Sequence, residues 1–290
     1  MNKVLLTGAS GFIGSYFIKC YQPKYNIRSF SFLNGKLNDL ELSNVDTIVH
    51  LSALVHQMDG ASYKEYYNVN VKQTLNLAKK AKESGVKQFI FVSSIKVYGE
   101  ESKIPYTETT PCRPVDDYGK SKFEAENELK SLEDNNFKVV IIRTPIVYGY
   151  GVKANINNLI NLIKKVPVLP FGKIENRRSM IYVGNLTYFI DIVIQKQISG
   201  LFLVADNKPV STTKLIELIA VNLNKKVFLI KIPFFERLLE LVKPSFYKRL
   251  YGSLEVDNRK TLQKLFGRTD IQLPFSVEDG IRLMIQGENE

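Results

Sequence analysis

Short apolar runs alternate with segments of helical periodicity over the first half of the chain. The apolar runs are KVLLTG at 3–8, NIRSFSF at 26–32, DTIVHLSA at 46–53, QFIFVSS at 88–94 and KVVIIRT at 138–144. The segments with helix-like spacing between them are 12–21, 63–84 and 118–134. Strands that are apolar throughout are typical of parallel sheets, because helical crossovers cover both faces. The pattern therefore predicts an α/β fold with a Rossmann-type, doubly wound parallel sheet.

The pattern changes after Thr144. Segments 154–165 and 183–196 are helix-like, GLFLVAD at 200–206 is typical of one more strand, and the remainder is shorter and mixed. We therefore predict a second, smaller C-terminal lobe built on the first part of the chain.

The two predicted parts divide the chain unevenly. Residues 1–145 are expected to form the dinucleotide-binding Rossmann domain, completed by 181–206. Residues 146–180 and 207–290 are expected to form the smaller substrate-binding lobe. No internal repeat or low-complexity linker separates them.

Composition places the chain among ordinary globular proteins. Its 290 residues are 44% hydrophobic, which is enough for a sizeable core. No apolar run approaches the roughly 20 residues of a membrane span, and the first residues lack the apolar core of a secretion signal, so we expect a cytoplasmic protein. Cys20 and Cys112 lie far apart, which offers no disulfide framework and no metal-ligand spacing, and we expect both to be reduced and no metal to be bound.

The chain carries a formal net charge of +11. This charge suits an anionic partner, which could be nucleic acid, a membrane surface or a phosphorylated small molecule. The sequence has no helix-turn-helix, zinc-finger or aromatic RNA-binding motif, and this argues against nucleic acid. A diphosphate ligand needs only a few of the cations.

The sequence TGASGFIG places Gly8, Gly11 and Gly14 between the first strand and the first helix. Glycines in that position permit a tight turn and a close approach of backbone to a pyrophosphate, and the helix N-terminus offers N–H groups to it. A purely structural turn is the alternative, but the order of strand, glycines and helix favours a dinucleotide site. We include Phe12 and Ile13, in the first helical turn, among its cofactor contacts.

Tyr118 and Lys122 are four residues apart in DDYGKSKFEAE, at the start of a predicted helix. This spacing places both side chains on one helix face. For the pair alone, a solvated polar helix start is the simpler interpretation. A cation held beside the phenol would favour the phenolate and make Tyr118 an acid or base.

Further motifs follow in order along nearly the whole chain. They are VHLSA at 49–53, NVNVKQT at 68–74, FVSSIKVYG at 91–99, YGKSK at 118–122, IRTPIVYG at 142–149 and RRSMIYVGNL at 177–186. With the glycine motif, they make the chain resemble the extended short-chain dehydrogenase/reductase family, in particular its nucleotide-sugar epimerase/dehydratase branch. The resemblance implies a nicotinamide dinucleotide as cofactor and a UDP-sugar as substrate.

The resemblance also implies catalytic roles for single residues. Tyr118 would exchange the proton of a sugar hydroxyl or ketone while the nicotinamide exchanges the hydride. Lys122 would lower the pKa of the tyrosine and hold the nicotinamide ribose. Ser94 would hydrogen-bond the reacting oxygen, and it ends an apolar strand at the edge where open α/β sheets bind ligands. Asn70 would support the lysine side of the relay.

Ligand contacts are assigned at further positions. For the cofactor they are Leu51, Ala53 and Pro145, together with the glycine loop, Tyr118 and Lys122. The resemblance offers Asn155 and Arg178 for the substrate diphosphate, and the planar guanidinium of arginine can bond two phosphate oxygens. Arg177 is adjacent, and the sequence does not separate it from Arg178. Lys96 would touch the sugar if its loop turns toward Ser94, with a solvated loop lysine as the alternative.

One absence bears on the reaction. Dehydratases of this branch typically carry an Asp-Glu pair after the strand-end serine or threonine, whereas this chain has Ile95 and Lys96. Without these acids no group is evident to remove water between C5 and C6, so we expect redox chemistry at C4 only.

A second absence bears on the cofactor. From Ser15 to Asn38 there is no acidic residue, so the carboxylate that NAD-preferring sites place near the end of the second strand is missing. Asp39 is the first acid, and Arg28 and Lys36 are nearby cations that suit a 2′-phosphate. On these grounds we favour NADP(H) over NAD(H).

The sequence leaves three functions open. We favour reduction of a UDP-4-keto-6-deoxy-N-acetylhexosamine in surface polysaccharide synthesis, because a preference for NADP(H) suits a reductase. The alternative is a 4-epimerase of a UDP-hexose or UDP-N-acetylhexosamine. A non-catalytic dinucleotide-binding regulator is the third and least favoured function. Such regulators tend to lose the catalytic residues, whereas this chain keeps Tyr118, Lys122, Ser94 and Asn70.

The segment 232–252 fits a small soluble substrate less easily. It mixes bulky apolar residues with the cations Arg237, Lys243, Lys248 and Arg249. Helices on either side of Pro244 would have apolar faces flanked by cations, as interfacial membrane segments have, and this would point to a lipid-linked sugar diphosphate as substrate. We favour instead a helix whose apolar face packs on the core of the second lobe. A homodimer is allowed, but the sequence does not determine the oligomeric state.

Overall fold

The computed structural model describes residues 1–55 and 61–287. Its strands are β1 (Lys3–Thr7), β2 (Asn26–Phe30), β3 (Thr47–His50), β4 (Gln88–Ser94), β5 (Lys138–Thr144), β6 (Ile146–Tyr148), β7 (Val168–Leu169), β8 (Met180–Tyr182), β9 (Gly200–Leu203) and β10 (Phe228–Leu229). Its α-helices are α1 (Phe12–Tyr21), α2 (Tyr63–Tyr66), α3 (Thr74–Glu83), α4 (Asp117–Lys130), α5 (Ala154–Lys165), α6 (Val183–Lys196), α7 (Thr212–Asn222), α8 (Phe235–Val242), α9 (Pro244–Tyr251), α10 (Arg259–Phe266) and α11 (Val277–Gln286). A π-helical segment, Tyr67–Gln73, joins α2 to α3, and short 3-10 turns span Leu37–Asp39 and Ile95–Val97.

Six strands form one parallel sheet in the order β2-β1-β3-β4-β5-β9. The chain passes to opposite sides of β1 to form β2 and β3, as in doubly wound sheets of the 2-1-3-4-5 type, and such sheets bind ligands beyond the carboxyl ends of the strands at this reversal. The predicted α/β fold with a doubly wound parallel sheet is confirmed, although β9 is shorter than the predicted strand.

Alternate residues of the strands pack against helices on opposite faces of the sheet. Val4 and Leu6 belong to the hydrophobic cluster that contains Phe17 of α1 and Phe189 of α6. Leu5 belongs to the cluster that contains Leu77 of α3. Successive side chains of a strand point to opposite faces, so a sheet covered on both sides requires the continuous apolar runs seen in the sequence.

A separate hydrophobic cluster lies in the C-terminal part of the chain. It includes Tyr148 of β6, Ile160 of α5, Ile216 of α7 and Ile281 of α11. Helices α5 and α6 begin and end where the periodicity predicts them. The cluster is what a second lobe requires, and the division of the chain into cofactor and substrate lobes remains a prediction.

Helix α8 departs from its expected packing. Phe235 and Leu239 contact the C-terminal cluster, but α8 has no buried residue, and Leu238 and Leu241 are exposed. The expectation that the apolar face of α8 packs on the core is therefore wrong for the side that carries Leu238 and Leu241. The C-terminal cluster contacts only the side that carries Phe235 and Leu239. Between residues 1 and 55 and between 61 and 287, no helix is both long and apolar enough to cross a bilayer.

Candidate active site

The glycine loop connects β1 to α1 at the carboxyl edge of the sheet. Gly8 has a φ of +71°, which glycine adopts without strain, and a Cβ there would lie 2.8 Å from the amide nitrogen of Ser52. A Cβ on Gly14 would lie 2.2 Å from the carbonyl oxygen of Gly8. Gly11 caps α1, whose first turn carries no acidic residue and no side-chain cap. The amide groups of this turn can therefore bind an anion, and the residues present fit a dinucleotide pyrophosphate.

The other predicted cofactor residues lie around this loop. Phe12 and Ile13 form the first turn of α1, and Leu51 and Ala53 follow β3 and are partly buried. Pro145 is buried directly after β5. The fold thus brings these positions to the edge where the sheet order reverses, and their contact with a cofactor stays a prediction.

Helix α4 begins beside the end of β4. Asp116 caps the helix, and its Oδ1 accepts a hydrogen bond from the Gly119 amide at 2.7 Å. A Cβ on Gly119 would lie 2.8 Å from the carbonyl oxygen of Lys96, so glycine permits this close approach of the helix. The Ser94 side chain lies close enough to Tyr118 to lower the pKa of its phenol. The structure therefore brings the predicted serine and tyrosine together.

The surroundings of Tyr118 raise its pKa to about 12. Burial is the main cause, the charge of Asp116 adds to it, and the Ser94 side chain opposes it. The lowering by Lys122 that the resemblance implies is not seen, and the Lys122 ammonium instead donates to the carbonyl oxygen of Val92 at 2.9 Å. Tyr118 is a neutral phenol in this arrangement.

Lys122 is buried, and burial lowers its pKa to about 7 while the carboxylate of Glu126 opposes the shift. Its Nζ lies 4.2 Å from the ring centroid of Phe91. Burial, and then the charge of Lys122, lower the pKa of His50 to about 3. Lys122 therefore changes its protonation near neutral pH, where a group that takes part in proton transfer is most effective.

A buried ion pair lies beneath Lys122. Arg143 of β5 donates to Glu126 of α4 at 3.0 Å, and the Ser93 hydroxyl donates to the same carboxylate at 2.6 Å. The ring of Tyr98 covers the guanidinium at 4.6 Å. Burial opposes the charge on Arg143, but hydrogen bonding and attraction from Glu126 outweigh it and raise the arginine pKa. A fixed pair of charges therefore supports the helix that carries Tyr118 and Lys122.

Asn70 is buried in the π-helical segment between α2 and α3. Its Nδ2 donates to Ser121 Oγ and to the Leu54 carbonyl, both at 3.0 Å, and Ser121 Oγ donates to the Tyr118 carbonyl at 2.8 Å. π-Helical turns occur frequently at functional sites. Asn70 thus braces the backbone of Tyr118 through Ser121, and its predicted support of Lys122 remains a prediction.

Lys96 is half-buried and bonded to two carboxylates. Its Nζ donates to Asp116 and, at 3.3 Å, to Glu100. These bonds tie the turn after β4 to the N-cap of α4. The alternative of a simply solvated loop lysine is wrong, and the predicted contact of Lys96 with the sugar is untested.

The structure separates Arg177 from Arg178. Arg177 is exposed, and its guanidinium makes two hydrogen bonds to the Glu255 carboxylate at 2.6 and 2.7 Å. Arg178 is partly buried and donates to the carbonyl oxygen of Gly252 at 2.9 Å. Of the two arginines, Arg178 is therefore the one that is partly buried and whose guanidinium is not bonded to Glu255.

A second cation lies close to Arg178. Burial lowers the pKa of Arg178, the charge of Glu101 opposes this, and the charge of Arg249 lowers it further. A bound diphosphate would relieve the repulsion between the two guanidinium groups. Asn155, the second residue of α5, is exposed, and its predicted diphosphate contact stays a prediction.

The region after β2 bears on the choice of dinucleotide. The Arg28 guanidinium donates to the carbonyl oxygen of Glu41. Lys36 is exposed, and Asp39 is exposed at the end of a 3-10 turn well after β2. Arg28 is thus already engaged, which leaves Lys36 as the predicted cation for a 2′-phosphate.

Some neighbours of the site were missed by the reasoning from sequence. Glu126 follows Lys122 by the same four residues that separate Lys122 from Tyr118, and this spacing would have identified it. Arg249 has no such signal, because only the fold brings α9 beside Arg178.

The NAD dependent epimerase/dehydratase family model matches residues 4–205. UDP-glucose 4-epimerase from Vibrio cholerae is 36% identical over an alignment of 320 positions, and this alignment covers 99% of this chain and 97% of that protein. N-acetyl-alpha-D-glucosaminyl-diphospho-ditrans,octacis-undecaprenol 4-epimerase from Escherichia coli O157:H7 is 30% identical over 80% of this chain and 76% of that protein.

A solved structure agrees with the fold. The dTDP-4-dehydrorhamnose reductase of Bacillus anthracis, in complex with NADP, superposes with a TM-score of 0.78 at 22% identity, over 99% of this chain and 100% of that chain. The family description, NAD dependent epimerase/dehydratase, supports a pyridine nucleotide as the cofactor. Because the family match spans most of the chain and includes both the glycine loop and Tyr118, the chain belongs to the NAD dependent epimerase/dehydratase family.

Proposed function

We propose that the protein interconverts the C4 epimers of a hexose or N-acetylhexosamine carried on UDP. The observation that carries the proposal is the placement of Tyr118 beside Ser94 at the carboxyl end of β4, with Lys122 four residues further along α4. The similarity to a UDP-glucose 4-epimerase over nearly the whole of both chains favours epimerisation over net reduction.

Tyr118, Ser94 and Lys122 have separate roles in the proposed reaction at C4. Oxidation of a hydroxyl requires its proton to leave, and the reverse step requires the proton to return. Tyr118 moves this proton, and Ser94 holds the oxygen. A bound pyridine nucleotide would supply the hydride acceptor and donor, and inversion at C4 requires that the hydride be returned to the opposite face of the sugar. With a pKa of about 12, Tyr118 needs a cation beside it to act as a base, and Lys122 supplies that cation when its ammonium turns from Val92 to the phenol.

We propose NAD(H), rather than NADP(H), as the resident cofactor. An epimerase regenerates its cofactor in every turnover and so needs no mobile pool. The contact of Arg28 with Glu41 removes one of the two cations that suited a 2′-phosphate. The proposed cofactor contacts are those of the glycine loop and the surrounding strand ends: Gly8, Gly11, Phe12, Ile13, Gly14, Leu51, Ala53 and Pro145.

The substrate diphosphate is proposed to lie against Arg178 and Arg249. Their mutual repulsion and the partial burial of Arg178 support this placement. Asn155 is proposed to add a contact from the first turn of α5. Lys96 is proposed to act through Asp116, by holding the start of α4, and to face the sugar from there.

A sugar diphosphate attached to a lipid is the second candidate substrate. The exposed apolar side chains of α8 favour it, because a soluble nucleotide sugar gives them no role. The similarity to the undecaprenol-linked epimerase of Escherichia coli supports the same reaction on such a substrate. The catalytic residues would be the same.

The test is to incubate the purified protein with UDP-galactose or UDP-N-acetylgalactosamine and follow the anomeric protons by NMR. Appearance of the gluco epimer without added cofactor supports the proposal, and its absence from both reactions with NAD added would overturn it. Absorbance of the purified protein separates the alternatives. Bound nicotinamide supports the epimerase, whereas a cofactor-free protein that oxidises NADPH with a 4-keto sugar would establish the reductase.

A further inference from the structure

The helices α8 and α9 pack against each other and present an exposed apolar surface. Phe234, Leu238, Leu241, Val242 and Phe246 are 78%, 60%, 82%, 66% and 45% exposed. We call these five side chains the apolar ridge. Within α8, spacings of three and four residues place its members on one side of the helix. Large exposed apolar patches on soluble proteins mark surfaces that bind another molecule or a membrane.

Core packing does not account for the ridge. Phe235 and Leu239, elsewhere on α8, already contact the C-terminal hydrophobic cluster. Phe234, which precedes α8, has a φ of +62°, and a left-handed backbone is unfavourable for a residue with a bulky side chain. The fold thus holds a large ring in solvent in a strained conformation, and such strain indicates a role outside the folded core.

Cations border the ridge. Between residues 231 and 252 the exposed cations are Lys231, Arg237, Lys243, Lys248 and Arg249, and the carboxylates are Glu236 and Glu240. Lysine is depleted from protein–protein interfaces relative to other surfaces, whereas lysine and arginine beside an apolar helix face are typical of segments that bind anionic bilayers. The charge pattern therefore favours a membrane over a protein partner.

We propose that the apolar ridge docks the protein on an anionic lipid bilayer. Its side chains would enter the boundary between headgroups and acyl chains, and the bordering cations would lie among the headgroups. The net charge of +11 would attract the whole protein to the same surface.

The ridge is continuous with the proposed diphosphate site. Phe246 and Arg249 are three residues apart in α9, and the charge of Arg249 acts on Arg178. Arg178 in turn donates to Gly252, directly after α9. Docking through the ridge therefore brings Arg178 toward the bilayer, where a sugar diphosphate carried on a lipid presents its phosphates. This conclusion about the substrate rests on the proposed function, whereas the docking itself does not.

The test is co-sedimentation of the whole protein with vesicles of phosphatidylglycerol and phosphatidylcholine, and with vesicles of phosphatidylcholine alone. We expect binding to the anionic vesicles that weakens with salt, and a partition coefficient about tenfold lower for the double variant Leu238→Glu/Leu241→Glu. Val221→Glu is the matched control, because Val221 is 75% exposed but lies on α7. Melting temperatures establish that each variant is folded.

Absence of wild-type binding to the anionic vesicles would overturn the proposal, as would binding that the double variant retains. A lipid-independent dimer that the double variant loses, without vesicle binding by the wild type, would identify the ridge as a protein interface and also overturn it. The epimerase assay uses soluble UDP-sugars and no vesicles. Failure of this assay would overturn the proposed reaction and leave the docking result unaffected. Failure of vesicle binding would overturn the docking and leave the proposed reaction unaffected.

Discussion

Tyr118 moves the proton in the proposed reaction, and its replacement separates chemistry from binding. Tyr118→Phe keeps the ring and removes the hydroxyl that lies beside Ser94. We expect kcat to fall by about 100-fold or more, because proton transfer by a positioned side chain contributes that much, while cofactor affinity changes little. Steady-state kinetics and cofactor-dependent melting measure the two effects. Turnover close to that of the wild type would contradict the assignment.

His50 makes folding stability depend on pH. It is buried, with Nδ1 2.7 Å from Thr7 Oγ1 and Nε2 2.9 Å from Thr74 Oγ1. Its pKa is lowered from 6.5 to about 3, first by burial and then by Lys122. The unfolded chain therefore binds the proton at a higher pH than the folded protein does. The contribution of His50 to stability is full above pH 6.5 and is lost as the pH falls toward 3.

We expect His50→Gln to remove this dependence, because glutamine is uncharged throughout and can still bond to the two threonines. Between pH 7 and pH 5 the wild type should lose about 2 kcal/mol more of its unfolding free energy than the variant does. Urea denaturation of both proteins at the two pH values measures the difference, and the other titrating groups cancel in the comparison. Parallel losses would show that His50 is charged in the folded state.

At the scale of elements, the segment before β8 and the helix α9 together form the proposed diphosphate site. Arg178→Ala should raise KM strongly and cost about 2 to 4 kcal/mol in kcat/KM, the range for removing one partner of a desolvated charge pair. Cofactor affinity should hardly change, because the dinucleotide is proposed to bind at the glycine loop. Arg178→Lys should rescue activity only in part, since it keeps the charge and loses the two-point geometry.

Arg177→Ala is the control for this variant. Arg177 is the neighbouring arginine, but it is exposed and paired with Glu255, so its loss should leave kcat/KM nearly unchanged. Equal effects of the two alanine substitutions would remove the distinction between them. Weaker cofactor binding with normal sugar-nucleotide binding in Arg178→Ala would show that the division into cofactor and substrate lobes is wrong.

At the scale of the whole molecule, Asp206, just after β9, links the six-stranded sheet to β6, β8 and α6. Its carboxylate accepts hydrogen bonds from the Tyr148 hydroxyl at 2.7 Å, the Asn185 side chain at 2.8 Å and the Tyr182 amide at 3.1 Å. Asp206 is buried, and burial raises its pKa while these bonds oppose the shift. Three donors from β6, β8 and α6 therefore depend on one acceptor.

Asp206→Ala leaves these donors without that acceptor in the interior. We expect the unfolding free energy to fall by about 3 kcal/mol, because buried polar groups without partners are costly. Urea denaturation measures the loss. Asp270→Ala, at an exposed position, is the control and should change stability little. A small loss in Asp206→Ala would mean that water replaces the carboxylate.

The sequence by itself determined the parts of this protein that depend on local pattern and spacing. Periodicity predicts the strands of the sheet and the helices α1, α5 and α6. A strand that is buried on both faces is apolar throughout, whereas a helix that is buried on one face has apolar residues at helical spacing. The glycine loop follows from where Gly8, Gly11 and Gly14 stand between a strand and a helix. The four-residue spacing of Tyr118 and Lys122 fixes their common helix face, whatever the rest of the chain does.

Only the tertiary structure decided which side chains face each other across distant segments. It assigned Arg177 to Glu255 and left Arg178 beside Arg249, although the two arginines are adjacent in sequence. It lowered the pKa of Lys122 by burial, which no spacing records. It also left one side of α8 in solvent, because an amphipathic pattern states that a face is apolar but not what covers it. Contacts between residues far apart in the chain depend on how elements pack, and local periodicity carries no information on that packing.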